Sequence, residues 1–409
     1  MPATDVASFF TLIGFIIIVG WLGTLFFKRT GIPEIPFLVL LGVLAGPVFN
    51  LVDREGIIAI APILAALAIT VILFDGGLNL NIYKVVQESP RATVLAILSV
   101  VTGMVVSTLF GIYVLRWEFL PSLFFGAVVS GTSSAVVIPL VTRIGVSQKV
   151  STLLSLESAF TDAIVVVLSV TILQLVLSGI DGGSGLEIAR GIASGFSIGA
   201  VLGFFGGIMW LRVLRSLPHE TYDDILTLTI VLLLYGISES VGGSGAISAL
   251  LFGLVLGNGV EISRMLRISE PVQASTIMRK FQSQISFLLR TFFFTYLGII
   301  FTLGNLNLLL FGAGVTLLIL VSRYLAVRLA TLKDPILGID RGIMTVMLPR
   351  GLAAAAVSQL PATFGLDFPP ELQDIVVAVI IFSVLVSTVG AYLPKITSMR
   401  ARSRASRRD

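Results

Sequence analysis

The 409-residue chain contains no cysteine, a single histidine and few charged residues of either sign. The lack of cysteine excludes a disulfide framework and a thiolate metal site, and it leaves the redox compartment undetermined. Charged residues make up 12% of the chain, about half the share that is usual in soluble proteins. Hydrophobic residues make up 56%, and the mean hydropathy is +1.03. This composition is typical of an integral membrane protein.

Apolar runs long enough to cross a bilayer recur along the whole sequence. A transmembrane helix needs about 20 mostly apolar residues. The sequence predicts an all-α membrane protein with about thirteen such helices, at approximate positions 9–27, 33–51, 57–78, 92–115, 120–142, 151–178, 190–211, 224–241, 243–260, 285–304, 306–330, 338–361 and 373–394. Residues 1–8 include no basic residue, so we expect the first run to be a span and not a cleaved signal peptide. We predict one transmembrane domain over residues 1–394 and a basic cytoplasmic tail at 395–409.

The distribution of lysine and arginine predicts the orientation in the membrane. With an external N-terminus and an odd number of spans, most of the 27 Lys and Arg residues fall in inner loops or in the tail. Inner loops of membrane proteins are enriched in these residues. We therefore expect a multi-pass protein of the cell membrane with a cytoplasmic C-terminus. The tail is expected to contact membrane lipids, and no nucleic-acid partner is expected.

Two of the predicted spans are interrupted by small, polar and proline residues. The fifth contains SGTSS at 130–134, and the twelfth contains PRG at 349–351. Interrupted spans at corresponding positions of two halves indicate the substrate site of a transporter. Unwound backbone is tolerated at membrane depth only where it lines a cavity or packs against protein. The placement predicts inverted repeats, made of spans 4–6 and 11–13, in which the broken spans 5 and 12 cross.

The sixth span holds two acids in an otherwise apolar segment. Glu157 and Asp162 lie within LESAFTDAIVVVL, residues 156–168. An acid at the centre of a bilayer costs about 2.5–3.5 kcal/mol on insertion scales, so such a residue indicates a functional site. The five-residue step between them turns an α-helix by about 140°. The two carboxylates therefore point in different directions, and we expect them to have separate roles.

One acid is expected to pair permanently with a buried base, and the other to titrate and bind a cation. Arg290, Arg323 and Arg350 lie within predicted spans and are the candidate bases. We expect Glu157 to form the structural ion pair. Asp162 has no basic neighbour in its own span, so it is predicted to be the free acid.

The polar residues nearby leave alternatives open. Ser158 lies four residues before Asp162 and shares its helix face. It could be an ion ligand, or it could donate to a backbone carbonyl one turn back in its own helix. Thr132, Ser133 and Ser134 could line the site, or they could be small residues that allow helices to pack closely. Asp75, at the end of the third span, is expected to cap or orient that helix end.

Six motifs in the same order resemble the monovalent cation/proton antiporter superfamily, in its NhaP-like sodium/proton exchanger branch. Residues 157–162, ESAFTD, are similar to the family's Glu-Ser-x-x-Asn-Asp signature, and FDGGL at 74–78 to its acid-Gly-Gly-Leu turn. The other motifs are LFFGAVVS at 123–130, FFFTYLG at 292–298, SRYLAV at 322–327 and PRGLAA at 349–354. The resemblance extends from about residue 32 to residue 394, which is nearly the whole chain.

The resemblance implies a homodimer in which a mobile core domain moves against a dimerisation domain by elevator-like alternating access. It implies that Asp162 carries both the cation and the proton. Ser158 and the fifth-span break, through the carbonyl and side chain of Thr132, would complete the oxygen shell of the ion. The neighbouring Ser133 and Thr161 belong to the same implied site.

The resemblance also implies a structural pair between Glu157 and Arg323. Arg350 is the alternative partner, or else it holds the twelfth-span break in place, and Asp75 has a supporting role. The implied substrates are a monovalent cation (Na⁺, or K⁺ or Li⁺) and H⁺, and no cofactor is expected.

Two departures from the family pattern bear on the ion and on the stoichiometry. Thr161 stands where the family has Asn, or Asp in electrogenic members, and Ser133-Ser134 stands where Asp-Pro is common. The missing Asp removes a negative charge from the cation site, and a Thr-Ser-Ser break is similar to the potassium-efflux-type branch. The sequence therefore predicts Na⁺/H⁺ exchange with K⁺/H⁺ exchange as the alternative. A single free acid predicts electroneutral 1:1 exchange.

Other function classes fit the sequence less well. A cation channel would need a through-going polar path with a filter, and no filter-like repeat occurs in the sequence. An enzyme is not expected, because no His-Glu-x-x-His pattern is present and paired acids alone do not define a hydrolase.

Overall fold

The computed structural model describes residues 3–30, 32–51, 54–79, 90–177, 185–216, 223–265, 276–302, 305–332 and 340–405. These residues form helices and connecting segments, and no strand occurs within the described ranges, so the predicted all-α class is confirmed. The helices are α1 (Ala3–Thr30), α2 (Ile35–Val43, continued by a π-helical turn at Leu44–Val48), α3 (Arg54–Asn79), α4 (Pro90–Tyr113), α5 (Phe119–Val128), α6 (Ser134–Ile144), α7 (Gln148–Leu177), α8 (Gly185–Ser216), α9 (Asp223–Ser240), α10 (Gly245–Gly257), α11 (Gly259–Met265), α12 (Thr276–Ile300), α13 (Leu306–Ala330), α14 (Arg341–Val346), α15 (Leu352–Val357), α16 (Leu360–Thr363) and α17 (Leu372–Ala405).

Every predicted span overlaps one to three consecutive helices. Six helices in the described part of the chain, α4, α7, α8, α12, α13 and α17, are long and apolar enough to cross a membrane. The pair α10 and α11, bent by 80°, makes a seventh if it forms one span. Shorter apolar helices occupy most of the remaining predicted positions. The total of about thirteen spans and the orientation of the termini stay predictions.

Both predicted breaks are present in the structure. The fifth span consists of α5 and α6, with residues 129–133 unwound between them, and the twelfth consists of α14 and α15, separated by residues 347–351. The backbone N–H of Ser133 in the first break donates to the carbonyl of Pro349 in the second, at 2.8 Å. The two breaks therefore contact each other directly.

Helix α17 supplies hydrogen bonds that the second break needs. The hydroxyls of Ser383 and Ser387 accept from the backbone N–H groups of Arg350 and Leu348, at 2.9 and 3.2 Å. All four residues are buried. An unpaired N–H in such surroundings would cost several kcal/mol, on the order of a lost hydrogen bond or more. The two serines therefore stabilise the unwound conformation.

Glycines allow the breaks to pack closely. A Cβ added at Gly351 would overlap the side chain of Ser133 in the first break. A Cβ added at Gly131 would overlap the side chain of Val165 and the carbonyl oxygen of Thr161, both on α7. The first break is thus in contact with the second break on one side and with the acid-bearing helix on the other.

A second region packs through helix-to-helix glycine contacts. Gly77 of α3 and Gly253 of α10 each lie against the backbone of the other helix, and Gly42 of α2 and Gly298 of α12 meet in the same way. Small residues let transmembrane helices approach until their backbones touch, which maximises dispersion contacts in the absence of a strong hydrophobic driving force. Helices α2, α3, α10 and α12 therefore pack as close pairs beside the breaks.

The last helix passes the predicted boundary at residue 394. Helix α17 extends through Ala405, so the first part of the basic tail continues this helix, and residues 406–409 lie outside the described part. The division into a transmembrane domain and a tail stays a prediction.

We predict that Gly253→Ala lowers the thermal stability of the purified protein. The added methyl group would overlap the Phe74 carbonyl oxygen of α3, and overpacking of this kind costs about 1–3 kcal/mol. Gly236→Ala on α9 is the matched control, because a Cβ there meets no heavy atom within 4 Å. In a helix interior alanine is favoured over glycine, so the control should be neutral or slightly stabilising. Thermal unfolding in detergent gives the comparison, and equal transition temperatures for both variants would contradict the close α3–α10 packing.

Candidate functional site

Asp162 lies on α7 beside the first residue of the half-helix α6. Its Oδ2 accepts two hydrogen bonds from Ser134, one from the backbone N–H at 2.9 Å and one from the hydroxyl at 2.6 Å. Among the described residues, Ser134 alone donates to this carboxylate, whose side chain is partly exposed. The N-terminus of an α-helix presents unpaired N–H groups and the positive end of the helix dipole. The start of α6 therefore stabilises a negative charge on Asp162.

A buried threonine pair joins the first break to α7. The hydroxyl of Thr161 lies 3.0 Å from the backbone nitrogen of Thr132, 3.0 Å from its hydroxyl and 3.1 Å from its carbonyl oxygen. Thr161 and Thr132 are almost completely inaccessible to solvent. Thr161 thus fixes the position of Thr132 against α7, and it adds no titratable group.

Ser158 and Ser133 make other contacts. The hydroxyl of Ser158 donates to the carbonyl of Ser155 at 3.1 Å, which is the bond to its own helix that the sequence left open as an alternative. The side chain of Ser133 lies against Gly351. Neither hydroxyl is hydrogen-bonded to Asp162, so a role for Ser158 and Ser133 as ion ligands stays a prediction.

Glu157 forms a buried, bidentate ion pair with Arg323. The Nη1–Oε1 and Nη2–Oε2 distances are 2.7 and 2.8 Å, and both side chains are at most 3% exposed. The Nε of Arg323 donates to the carbonyl of Met344 at 2.9 Å. A planar guanidinium matches a carboxylate in this fork geometry, which gives the strongest kind of charged hydrogen bond. Arg323 and Arg350 were the two partners considered for Glu157, and the ion pair in the structure is with Arg323.

Arg350 is buried in the second break without a hydrogen-bond acceptor for its Nε and Nη1 atoms within the described residues. Asp162, Glu157 and Arg323 lie close enough for their charges to act on its guanidinium. With Asp162 ionised, the formal charges of these two acids and two arginines cancel. A proton or a monovalent cation on Asp162 would leave the group with one positive charge.

The third intramembrane arginine belongs to a separate ion pair. Arg290 on α12 lies 3.1 Å from Glu34 at the start of α2, and this pair is more exposed than the Glu157 pair. Asp75 accepts a hydrogen bond from the side chain of Asn79 at 3.1 Å, in the last turn of α3. This bond lies within the last turn of the helix, and the expected role of Asp75 in capping or orienting the helix end stays a prediction.

The possible ion ligands at the site are oxygen atoms. Within the described ranges, no group of three or more His, Cys, Asp or Glu side chains could hold a metal ion. The site offers one unpaired carboxylate, a backbone carbonyl and several hydroxyls, which are oxygen ligands of the kind that hard cations prefer. The same carboxylate can hold a proton instead.

Sequence reasoning missed the role of Ser134 and the partner of Arg290. Ser134 is the first residue of the helix that follows the break, so its backbone N–H has no acceptor within α6. The position of Ser134, directly after the break, is the feature of the sequence that could have indicated this role. Glu34 precedes Pro36 at the start of a helix and gave no comparable signal.

Comparisons with known proteins show the family and the fold of this chain. The family model described as "Sodium/hydrogen exchanger, transmembrane" matches residues 13–394. The K(+)/H(+) antiporter NhaP2 of Shewanella oneidensis is 28% identical over 97% of this chain and 68% of its own length. NhaP2 of Shewanella sp. strain ANA-3 is 31% identical over 63% of this chain, which spans 45% of that relative. The probable Na(+)/H(+) antiporter 2 of Methanocaldococcus jannaschii is 26% identical, over 84% of this chain and 82% of the relative.

A solved structure has the same fold. The structure of the sodium proton antiporter MjNhaP1 from Methanocaldococcus jannaschii at pH 8 superposes with a TM-score of 0.76 over 94% of this chain and 95% of that chain. The two sequences are 20% identical. The likeness therefore extends over almost the whole helical architecture.

We predict that Glu157→Gln destabilises the protein by about 3–5 kcal/mol, because it leaves Arg323 buried without a counter-charge. Glu34→Gln is the matched control, since it removes an acid from the more exposed pair with Arg290, and it should cost less. Thermal unfolding of both purified variants measures the difference. A Glu157→Gln variant as stable as wild type would show that the pair is dispensable for the fold.

Proposed function

Since the chain belongs to the sodium/hydrogen exchanger family, we propose that it is a secondary active antiporter that exchanges a monovalent cation for H⁺ across the membrane. The observation that carries this proposal is the pairing pattern of the two acids on α7. Glu157 is neutralised by Arg323, whereas among the described residues only Ser134 donates hydrogen bonds to Asp162. An intramembrane acid without a salt-bridge partner is suited to bind and release an ion.

Asp162 is the proposed shared carrier. A proton and a cation each neutralise the same carboxylate, so the binding of one excludes the other. One proton leaves Asp162 when one cation binds on one side of the membrane, and the reverse occurs after the site has been exposed to the other side. Coupling follows from this competition when the site changes its exposure only while Asp162 holds a proton or a cation.

The proposed cation ligands are oxygen atoms around the first break. Thr132 contributes its carbonyl and hydroxyl, Ser158 and Ser133 contribute hydroxyls, and Thr161 fixes the position of Thr132. The short distances between Thr161 and three atoms of Thr132 support this assignment, since a preorganised ligand lowers the cost of binding.

The proposed architecture has about thirteen spans, with an external N-terminus and a cytoplasmic tail, and inverted repeats at spans 4–6 and 11–13. The contact between Ser133 and Pro349 supports the pairing of the two broken spans. We propose that the core domain that contains both breaks moves against a dimerisation domain in a homodimer of the cell membrane. Lipids and a second copy of the chain are the partners in this proposal.

The proposed stoichiometry is one cation for one proton. Thr161, beside the carrier, is neutral, and both carboxylate oxygens of Glu157 are occupied by the bidentate contact with Arg323. Only Asp162 then changes its proton content during the cycle. Such exchange is electroneutral and is driven by concentration gradients.

Sodium is the proposed cation, and potassium is the second candidate. Among the relatives, one name specifies Na(+)/H(+) exchange and others specify K(+)/H(+) exchange. Ser133 contributes no charge beside Asp162. A site with one negative charge compensates less well for the dehydration of Na⁺ than a site with two, and this is why potassium is the second candidate. A channel is less well supported, because the breaks are packed against each other and against α7.

We predict that Asp162→Asn abolishes cation-driven proton movement in proteoliposomes, because an amide cannot carry the proton. Collapse of a preset pH gradient is measured with a pH-sensitive dye after addition of Na⁺, K⁺ or Li⁺ in parallel. Asp224→Asn near the start of α9 is the matched control and should retain exchange. Exchange retained by Asp162→Asn would rule out Asp162 as the carrier, and inactivity of the wild type with every cation would rule out the proposed function.

A further inference from the structure

Ser134 occupies the first position of a half-helix, and both of its donor groups converge on one oxygen atom. Ser133 precedes it as the N-cap in an extended conformation, with φ −83° and ψ 116°. The backbone N–H of Ser134 therefore has no acceptor within α6. This N–H and the hydroxyl both donate to Oδ2 of Asp162. The contact is the only direct hydrogen bonding to Asp162 among the described residues.

The charged groups whose charges act near Asp162 make no hydrogen bond to its carboxylate. They are Arg350 in the second break and the paired Glu157 and Arg323. Asp75 is on α3, which also contacts α7, and its carboxylate is hydrogen-bonded to Asn79. No basic side chain lies within 4 Å of the Asp162 carboxylate in the described part of the chain. The occupancy of this carboxylate by a proton or a cation is therefore most directly affected by Ser134.

A serine hydroxyl has one donor and two acceptor sites, so its contact with Asp162 depends on what the carboxylate holds. It donates to the ionised carboxylate, as observed. When a cation binds, the hydroxyl can rotate and offer a lone pair as a ligand. A protonated Asp162 is a weaker acceptor and needs no ligand. Loss of the hydroxyl therefore disfavours the ionised and cation-bound forms more than the protonated form.

We propose that Ser134 is a specificity-determining residue that biases Asp162 toward the cation and against the proton. The inference rests on the proposed antiport function and concerns the same site. The N–H of Ser134 holds the Asp162 carboxylate in place in every step. The hydroxyl of Ser134 sets the balance between binding of the cation and binding of the proton.

Three substitutions at this position separate the two donors. Ser134→Thr keeps both, and Ser134→Ala removes the hydroxyl alone. Ser134→Pro removes both, while proline remains favourable at the first position of a helix. A hydrogen bond to a charged group corresponds to a change of about tenfold or more in an equilibrium constant.

The test measures the pH dependence of cation-driven exchange in proteoliposomes at a fixed, subsaturating cation concentration. At acid pH, protons outcompete the cation, so a site with higher proton affinity loses activity at a higher pH. We expect the acidic limb of the profile to move up by about one pH unit in Ser134→Ala, which corresponds to a tenfold increase in proton affinity. It should move further in Ser134→Pro and stay near the wild-type position in Ser134→Thr.

Two controls keep this inference separate from the proposed function. Thr142→Ala removes a hydroxyl from the same half-helix that donates only to the Ile138 carbonyl, and its profile should match that of wild type. A merely structural role of Ser134 would lower the rate at every pH and leave the limb in place. The inference on Ser134 is overturned, while the antiport function stands, if three results occur together. These are an active wild type, an inactive Asp162→Asn variant, and a Ser134→Ala variant whose acidic limb lies at the wild-type pH.

A second measurement covers the case of poor transport by the variants. Cation-induced thermal stabilisation of the purified protein is recorded for wild type, Ser134→Thr and Ser134→Ala at two pH values. The cation concentration that gives half of the maximal thermal stabilisation should rise about tenfold in Ser134→Ala at the lower pH. It should rise much less at the higher pH. An equal concentration for all three proteins at both pH values would contradict the proposal.

Discussion

Unwound backbone inside a membrane leaves N–H and C=O groups that need partners, and the two breaks of this protein supply them to each other. The bond from Ser133 to Pro349 joins the breaks, and serines of α17 satisfy the second break. Because the first break is fixed in this way, the half-helix α6 begins at Ser134 with its donors facing α7. The position of Asp162 relative to those donors depends on this contact between the breaks.

The two acids of α7 show how a five-residue spacing produces two different environments on one helix. Glu157 faces Arg323 and is fully buried in a bidentate pair, whereas Asp162 faces the start of α6 and is only partly buried. A buried ion pair contributes little net stability, but breaking it leaves a charge that apolar surroundings do not tolerate. The proposed carrier therefore lies on a rigid helix whose other acid is locked, so that one titratable group remains for transport.

Much of this arrangement could be predicted from the sequence, because burial of charge in a membrane is costly and such residues stand out. The two breaks, the separate environments of Glu157 and Asp162 and the presence of Arg323 in a span were all visible as exceptions in apolar segments. The partner of Asp162 was not visible, because Ser158 and Ser134 carry the same hydroxyl and only the packing of α6 on α7 decides between them. The pair between Glu34 and Arg290 was missed because it joins segments far apart in the chain.

The central claim is that one carboxylate, Asp162, carries both ions in turn, and the flux null point tests it most directly. In proteoliposomes with opposing gradients, the cation gradient at which net proton movement stops is measured at several imposed membrane potentials. Single-carrier exchange predicts that about a tenfold cation gradient balances one pH unit, and that this null point is the same at every potential. A null point that moves with the potential would mean that net charge crosses in each cycle, and it would contradict the single-carrier account.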